Sequence, residues 1–159
     1  MNSKNFSLLN ATRGATPRIP FARIAATVLG PSYELSVALL PPSEMRKLTV
    51  YKKPRRLRSK VGVPKPTLRS ALRTENVGAK ASGNTASNVL AFPLGFRHGE
   101  VILCPAQARA QAAEYGYAPR DFLAYLFIHG LLHLKGRRHG ATMESEEQRF
   151  LKRFGFHQL

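Results

Sequence analysis

The stretch that decides the fold is "HGLLHLKGRRHG", residues 129–140. It closes a longer run, "PRDFLAYLFIHGLLHLK" (119–135), which is apolar nearly all round and opens on a proline suited to a first helical position. A helix of that kind sits buried in the middle of a domain. His129 and His133 are four residues apart and therefore share one helix face. Two imidazoles in apolar surroundings are costly without a common partner, and a metal ion is the simplest one. Gly136 ends the helix and allows the left-handed turn that returns His139 towards the first two. A single histidine in an apolar helix is most often a satisfied core residue. Three of them around a helix-stopping glycine point instead to a metal site. Three imidazoles leave the fourth tetrahedral position open, the pattern of a catalytic zinc centre, although ligand type alone also admits nickel, cobalt or iron. His98 and His157 lack this spacing and read as a turn residue and a tail residue.

Outward from the central helix, the last helix is expected from Thr142. Glu144, Glu146 and Glu147 in its first turns and Lys152 and Arg153 in its last suit the helix dipole, and Met143, Phe150, Leu151 and Phe154 form its inward stripe. Upstream, "PAQARAQAAEYG" (105–116) reads as a helix with proline first and glycine last. "SNVLAFPL" (87–94), closed by Pro93, and "EVILCP" (100–105) read as a pair of strands. Near the start, residues 5–10 and "YELSVALL" (33–40) read as strands. Residues 17–29 read as a helix with Ile19, Arg23, Ala26 and Leu29 in phase, and Ser43 caps a short helix, "EMRKLTVY". The first 33 residues hold no acid and several arginines, as a transit peptide does, but their strand-then-helix pattern places them in the fold.

The 159 residues fit one domain with a real core. Charge is the unusual feature: 25 Lys and Arg stand against 9 Asp and Glu, an excess that draws polyanions. Much of it lies in "KKPRRLRSKVGVPKPTLRSALR" (52–73), with nine Lys or Arg, three prolines and no acid. Residues 52–86 are therefore expected to be a flexible basic insertion that grips phosphates rather than packing. The single cysteine, Cys104, excludes an internal disulfide and reads as a buried strand thiol. No segment reaches the ~20 apolar residues of a membrane helix. Together these imply a cytoplasmic protein with no membrane partner.

The spacing H-x-x-x-H-x-x-G-x-x-H also matches the extended zinc motif of the metzincin proteases, but the general-base Glu that follows the first His there is Gly130 here. Glycine cannot move a proton, which argues against peptide hydrolysis. Gly130 is also expected to leave room for a substrate close to the metal.

"HGLLHLKGRRHG" resembles the H-G-x-L-H-L-x-G-x-D-H signature of the YbeY family of rRNA-maturation endoribonucleases. "SNVLAFP" resembles that family's T-[ND]-V-L-S-F-P strand, "GEVILCP" its G-D-I-x-I strand, and "ALLPPSEMRKL" the segment before them. The resemblance implies an α+β fold, a mixed sheet flanked by helices, with a zincin-like central helix and one Zn²⁺ on His129, His133 and His139. It implies a metal-dependent endoribonuclease that prefers single strands and acts on rRNA and ribosomal particles in maturation and quality control. The ion would acidify a water and polarise a phosphodiester oxygen. "YKKPRR" (51–56) is the nearest match to the stretch bearing the family's arginine, so Lys52 takes that place, as a point charge rather than a bidentate clamp, with Arg55 and Arg56 as the alternatives. Glu100 replaces the family's strand Asp and is a candidate for orienting a ligand or moving a proton. Arg138 stands where the family has Asp, which removes a carboxylate from behind the ligands. A non-catalytic RNA-binding factor with a structural zinc and a metallopeptidase are the alternatives.

Overall fold

The computed structural model describes residues 5–49 and 88–159. Lys52 and the basic stretch 52–86 lie outside the described residues. Four strands, β1 (Phe6–Asn10), β2 (Glu34–Leu39), β3 (Val89–Gly95) and β4 (His98–Leu103), form one sheet in the order β1-β2-β4-β3. β1, β2 and β4 run parallel, and the expected strand pair β3 and β4 is antiparallel, a hairpin. With the five helices among the described residues, this is the anticipated α+β domain with a mixed sheet.

β3 does not stop at Pro93 but continues to Gly95, with a register shift between the two. It is an edge strand, where proline's missing N–H leaves no ladder bond unmade. His98, expected in a turn, instead opens β4.

Alternation sorts the two faces of the sheet. Leu35, Val37, Leu39, Val89, Val101 and Leu103 point into the main core. Leu90, Ile102 and Cys104 join Met45 in a smaller cluster on the other face. That places α2 (Pro42–Thr49) on the far side, and burial pushes the Cys104 thiol pKa up.

The main face is covered by α1 (Phe21–Leu29), α3 (Pro105–Gln111), α4 (Pro119–Leu134) and α5 (Ala141–Phe154). α1 starts later than its apolar period suggests, because Pro20 is tolerated only at the helix start. Its buried stripe shifts with it, to Phe21, Ile24, Ala25 and Val28, leaving Arg23 exposed. α2 begins at Pro42, so Ser43 lies inside the first turn instead of capping it. α3 is shorter than expected: the chain leaves it in turns through Gly116, at φ +71°, so that Tyr117 can bridge Gln158.

α4 organises the rest. Eleven of its 16 residues are buried. It packs on α1, α3, α5 and the β3–β4 pair. At Gly130 it lies directly on the sheet: an added Cβ there would lie 3.3 Å from Val89 and 3.4 Å from Val101. At Gly99 an added Cβ would lie 2.6 Å from the Tyr33 hydroxyl and 3.0 Å from Leu134. These two glycines let helix and hairpin approach, and they fix which way α4 is turned.

At about 100° per residue, Phe127 lies about 60° to one side of Gly130, and its ring meets Phe21 of α1 at 5.0 Å. His133 lies about 60° to the other side and His129 about 100° round on that same side. The histidines thus project away from α1, towards the side of the sheet whose edge is β3.

Candidate metal centre

His129 is buried, His133 half-buried and His139 exposed, and their ligand atoms all lie within 4.8 Å of one another. Two elements bring them together. α4 supplies the first pair at helical spacing. Gly136, at φ +90°, then reverses the chain. Its N–H donates to the carbonyl of His133 (3.0 Å) and the next, Arg137 N–H, to that of Leu132 (2.9 Å). This is the double hydrogen bond of a Schellman turn, which only a left-handed residue closes without strain. Beyond it, His139 comes back over His133, ring centroids 4.8 Å apart.

The tautomers follow from what stands behind each ring. His129 Nδ1–H donates to Glu147 Oε1 at 2.5 Å, and His133 Nδ1–H donates to the Arg137 carbonyl at 3.2 Å. An ionised carboxylate and a carbonyl only accept. Both rings therefore present bare Nε2 lone pairs, and these face each other at 3.0 Å. Such an arrangement calls for a cation between them. Burial, and then the neighbouring His129, hold the His133 pKa below the usual imidazole value, which disfavours a proton as that cation. A borderline metal such as zinc suits three imidazole nitrogens, two of them held in their tautomer by a group behind the ring.

Glu147 escapes a reading of the sequence as a helix-dipole residue. It is 4% exposed and occupies the inward stripe of α5 with Met143, Phe150 and Leu151. The signal was its phase, four residues after Met143 and three before Phe150, where an acid is out of place unless it has a buried partner. It has two: His129, and Tyr125 one turn earlier on α4, whose hydroxyl hydrogen-bonds it. Burial, and then the charge of Glu147, raise the Tyr125 pKa, so the phenol keeps its proton to donate.

A carboxylate therefore does stand behind a ligand, although Arg138 replaces the acid expected there; Arg138 itself is exposed. Its neighbour makes the contacts. Arg137 forms a bidentate pair with Glu146 of α5, at 2.6 and 2.9 Å, which ties the loop carrying His139 to the helix carrying Glu147.

Two further expectations change. Gly130 faces Val89 and Val101, not the histidines, so its missing side chain makes room for the sheet and not for a substrate. Glu100 is not brought to the site. Strand alternation puts it with Ile102 on the face away from α4, opposite Val101, and paired with Ser36 and Phe92. Its carboxylate thus has no approach through β4 to any of the three rings.

These features define a mixed-sheet α+β domain with a three-histidine centre on its central helix and the loop after it. A sequence model of the family described as endoribonuclease YbeY matches residues 75–155, and the chain belongs to that family. Among curated relatives carrying the name Endoribonuclease YbeY, one from Neisseria meningitidis serogroup B is 37% identical over 87 residues, covering 45% of this chain and 52% of the relative. One from Sulfurimonas denitrificans is 36% identical over 80 residues, covering 46% and 58%. One from Cutibacterium acnes is 48% identical over 46 residues, covering 29% and 30%. The chain thus spans from under a third to just over half the length of these relatives.

Proposed function

We propose that the chain is a zinc-dependent endoribonuclease that cuts single-stranded RNA in rRNA maturation and ribosome quality control, in the cytoplasm. The observation that carries the reading is the convergence of His129, His133 and His139 in a chain of the YbeY family. These residues would hold one Zn²⁺, on a helix of zincin type. When bound, such an ion supplies Lewis acidity towards a phosphodiester oxygen and acidifies water.

The chain's own residues prepare that site. Glu147 and the Arg137 carbonyl keep His129 and His133 in the tautomer that presents Nε2. α5 and the apolar body of α4 keep water from behind the ligands. Lys52 is proposed to neutralise charge developing on the phosphate. Residues 52–86, an insertion in a single domain, are proposed as an arm that holds rRNA phosphates on ribosomal particles.

Neither alternative has the same support. Among the described residues the group holds three side chains, where a closed structural zinc site takes four. A peptidase would need a base that Gly130 cannot supply. The test is metal analysis with digestion of single-stranded and duplex RNA, with and without chelator. One zinc per chain and chelator-sensitive cleavage of single strands is the expected result. Chelator-sensitive cleavage of casein with RNA left intact would overturn it.

A further inference from the structure

The β3–β4 hairpin turns through two residues, Phe96 and Arg97, between Gly95 and His98. Tight two-residue turns favour Gly, Asn and Asp, so neither residue is there for the turn. Neither is there for packing: the Phe96 ring is 94% exposed, the most exposed large apolar side chain among the described residues, with Leu94 beside it at 57%. The Arg97 guanidinium lies 5.7 Å from the centre of the Phe96 ring, which gives the ring a cationic flank.

The tip also stands in a telling place. β4 begins at His98, and Gly99 lies against Leu134, the residue after His133. The turn at 96–97 therefore extends past the metal-bearing end of α4, on the β3 edge towards which the histidines project.

We propose that Phe96, flanked by Arg97, is a stacking platform for one base of a single-stranded RNA whose backbone runs on to the histidine centre. The inference rests on the RNA reading above and deepens it. An exposed aromatic ring beside a guanidinium suits a nucleobase, because every base offers a π-face and its phosphate meets the cation. The chain's excess of basic residues favours a polyanion over an apolar protein surface as the occupant. Stacking of this kind is tolerant of sequence and needs an unpaired base, so the tip would select single strands over duplex.

The probe is a fluorescently labelled ten-nucleotide RNA with 2′-O-methyl riboses, followed by anisotropy on the zinc-loaded chain. Phe96→Ala should weaken binding about tenfold, the effect of one lost stacked base, with the slope against salt unchanged because no phosphate contact is lost. Phe96→Tyr should restore affinity, and Phe96→Leu, which keeps an apolar tip, should not. Arg97→Ala should weaken binding and make the slope shallower. Zinc content should stay at the wild-type value in all four variants. Wild-type affinity in Phe96→Ala, or full rescue by Phe96→Leu, would overturn the stacking role while leaving the RNA reading intact, and would mark the tip as an apolar protein contact. Failure of the wild-type chain to bind the oligomer would overturn both.

Discussion

The two flanks of α4 next to each other at residues 129 and 130 are equally buried and do different work. On the Gly130 flank the helix meets Val89 and Val101 with nothing in between, and the absent side chain is a packing device. On the His129 flank it meets Glu147 through a single charge-assisted hydrogen bond, and the side chain is a chemical device. Both residues belong to one motif, yet only one of them belongs to the site. The difference teaches that a glycine beside a histidine of such a cluster is explained by the surface opposite it, here a strand pair, before any appeal to substrate.

The largest effect should come from breaking the chemical flank. His133→Ala removes one ligand and the lone pair facing His129. The variant should no longer retain zinc, and zinc should no longer raise its melting temperature. In the wild-type chain a hundredfold excess of free zinc over Kd should add about 2.7 kcal/mol of stability. Full zinc occupancy in the variant by elemental analysis would break the three-histidine centre.

Glu147→Gln tests what stands behind His129. The amide keeps the size but loses the charge, and offers an N–H that competes for the wrong tautomer. Zinc affinity should fall about 10–100-fold while the fold persists by circular dichroism. An unchanged affinity in competition titration would reduce Glu147 to a structural acid.

Gly130→Ala breaks the packing flank. Its Cβ would press on two buried valines whose branched side chains have little rotamer freedom. Overpacking of about 1–3 kcal/mol should outweigh the ~1 kcal/mol gained in helix propensity. The variant should be less stable by about 1 kcal/mol, with zinc stoichiometry unchanged. Loss of zinc with unchanged stability would mean that Gly130 belongs to the site after all.

Much of this was open to sequence reasoning, for physical reasons that also mark its limits. The i, i+4 pair and the helix-ending glycine are local, so the grouping of His129, His133 and His139 could be read without a structure. The strand at 33–40 stands out as an apolar run, and the one at 87–94 is bounded by its proline. What failed was orientation. α4 is apolar nearly all round, so nothing in its sequence says which flank faces the sheet, and the expectation that Gly130 makes room for substrate has no way to see Val89 and Val101. Glu147 was hidden by a sufficient explanation, the helix dipole, although its phase pointed inward. Glu100 sat in a matching motif, but only the strand register reveals the face it occupies. In α1 the apolar period was right in kind and wrong in phase, because Pro20 resets the start.

The smallest effects should separate the two adjacent arginines of the metal loop. The resemblance singles out Arg138, whereas the structure engages Arg137. Arg137 holds Glu146 in a bidentate pair, and that hydrogen bond is the main cause of a Glu146 pKa below the usual carboxylate value. A carboxylate whose folded pKa is depressed contributes stability above its ordinary value and loses it as pH falls through the lowered one. The pair is therefore intact at neutral pH and should open under acid. Arg137→Ala should weaken zinc by a few-fold at pH 7, because the loop carrying His139 is tethered less firmly, and raised salt should erase much of the difference. Its backbone carbonyl still serves His133, so the loss should stay well below that of Glu147→Gln. Arg138→Asp should tighten zinc by no more than about twofold, by replacing an exposed positive charge near a dication with a negative one. A tightening of tenfold or more would show that an acid at 138 reaches a ligand directly, and that Glu147 only half completes the support behind the three rings.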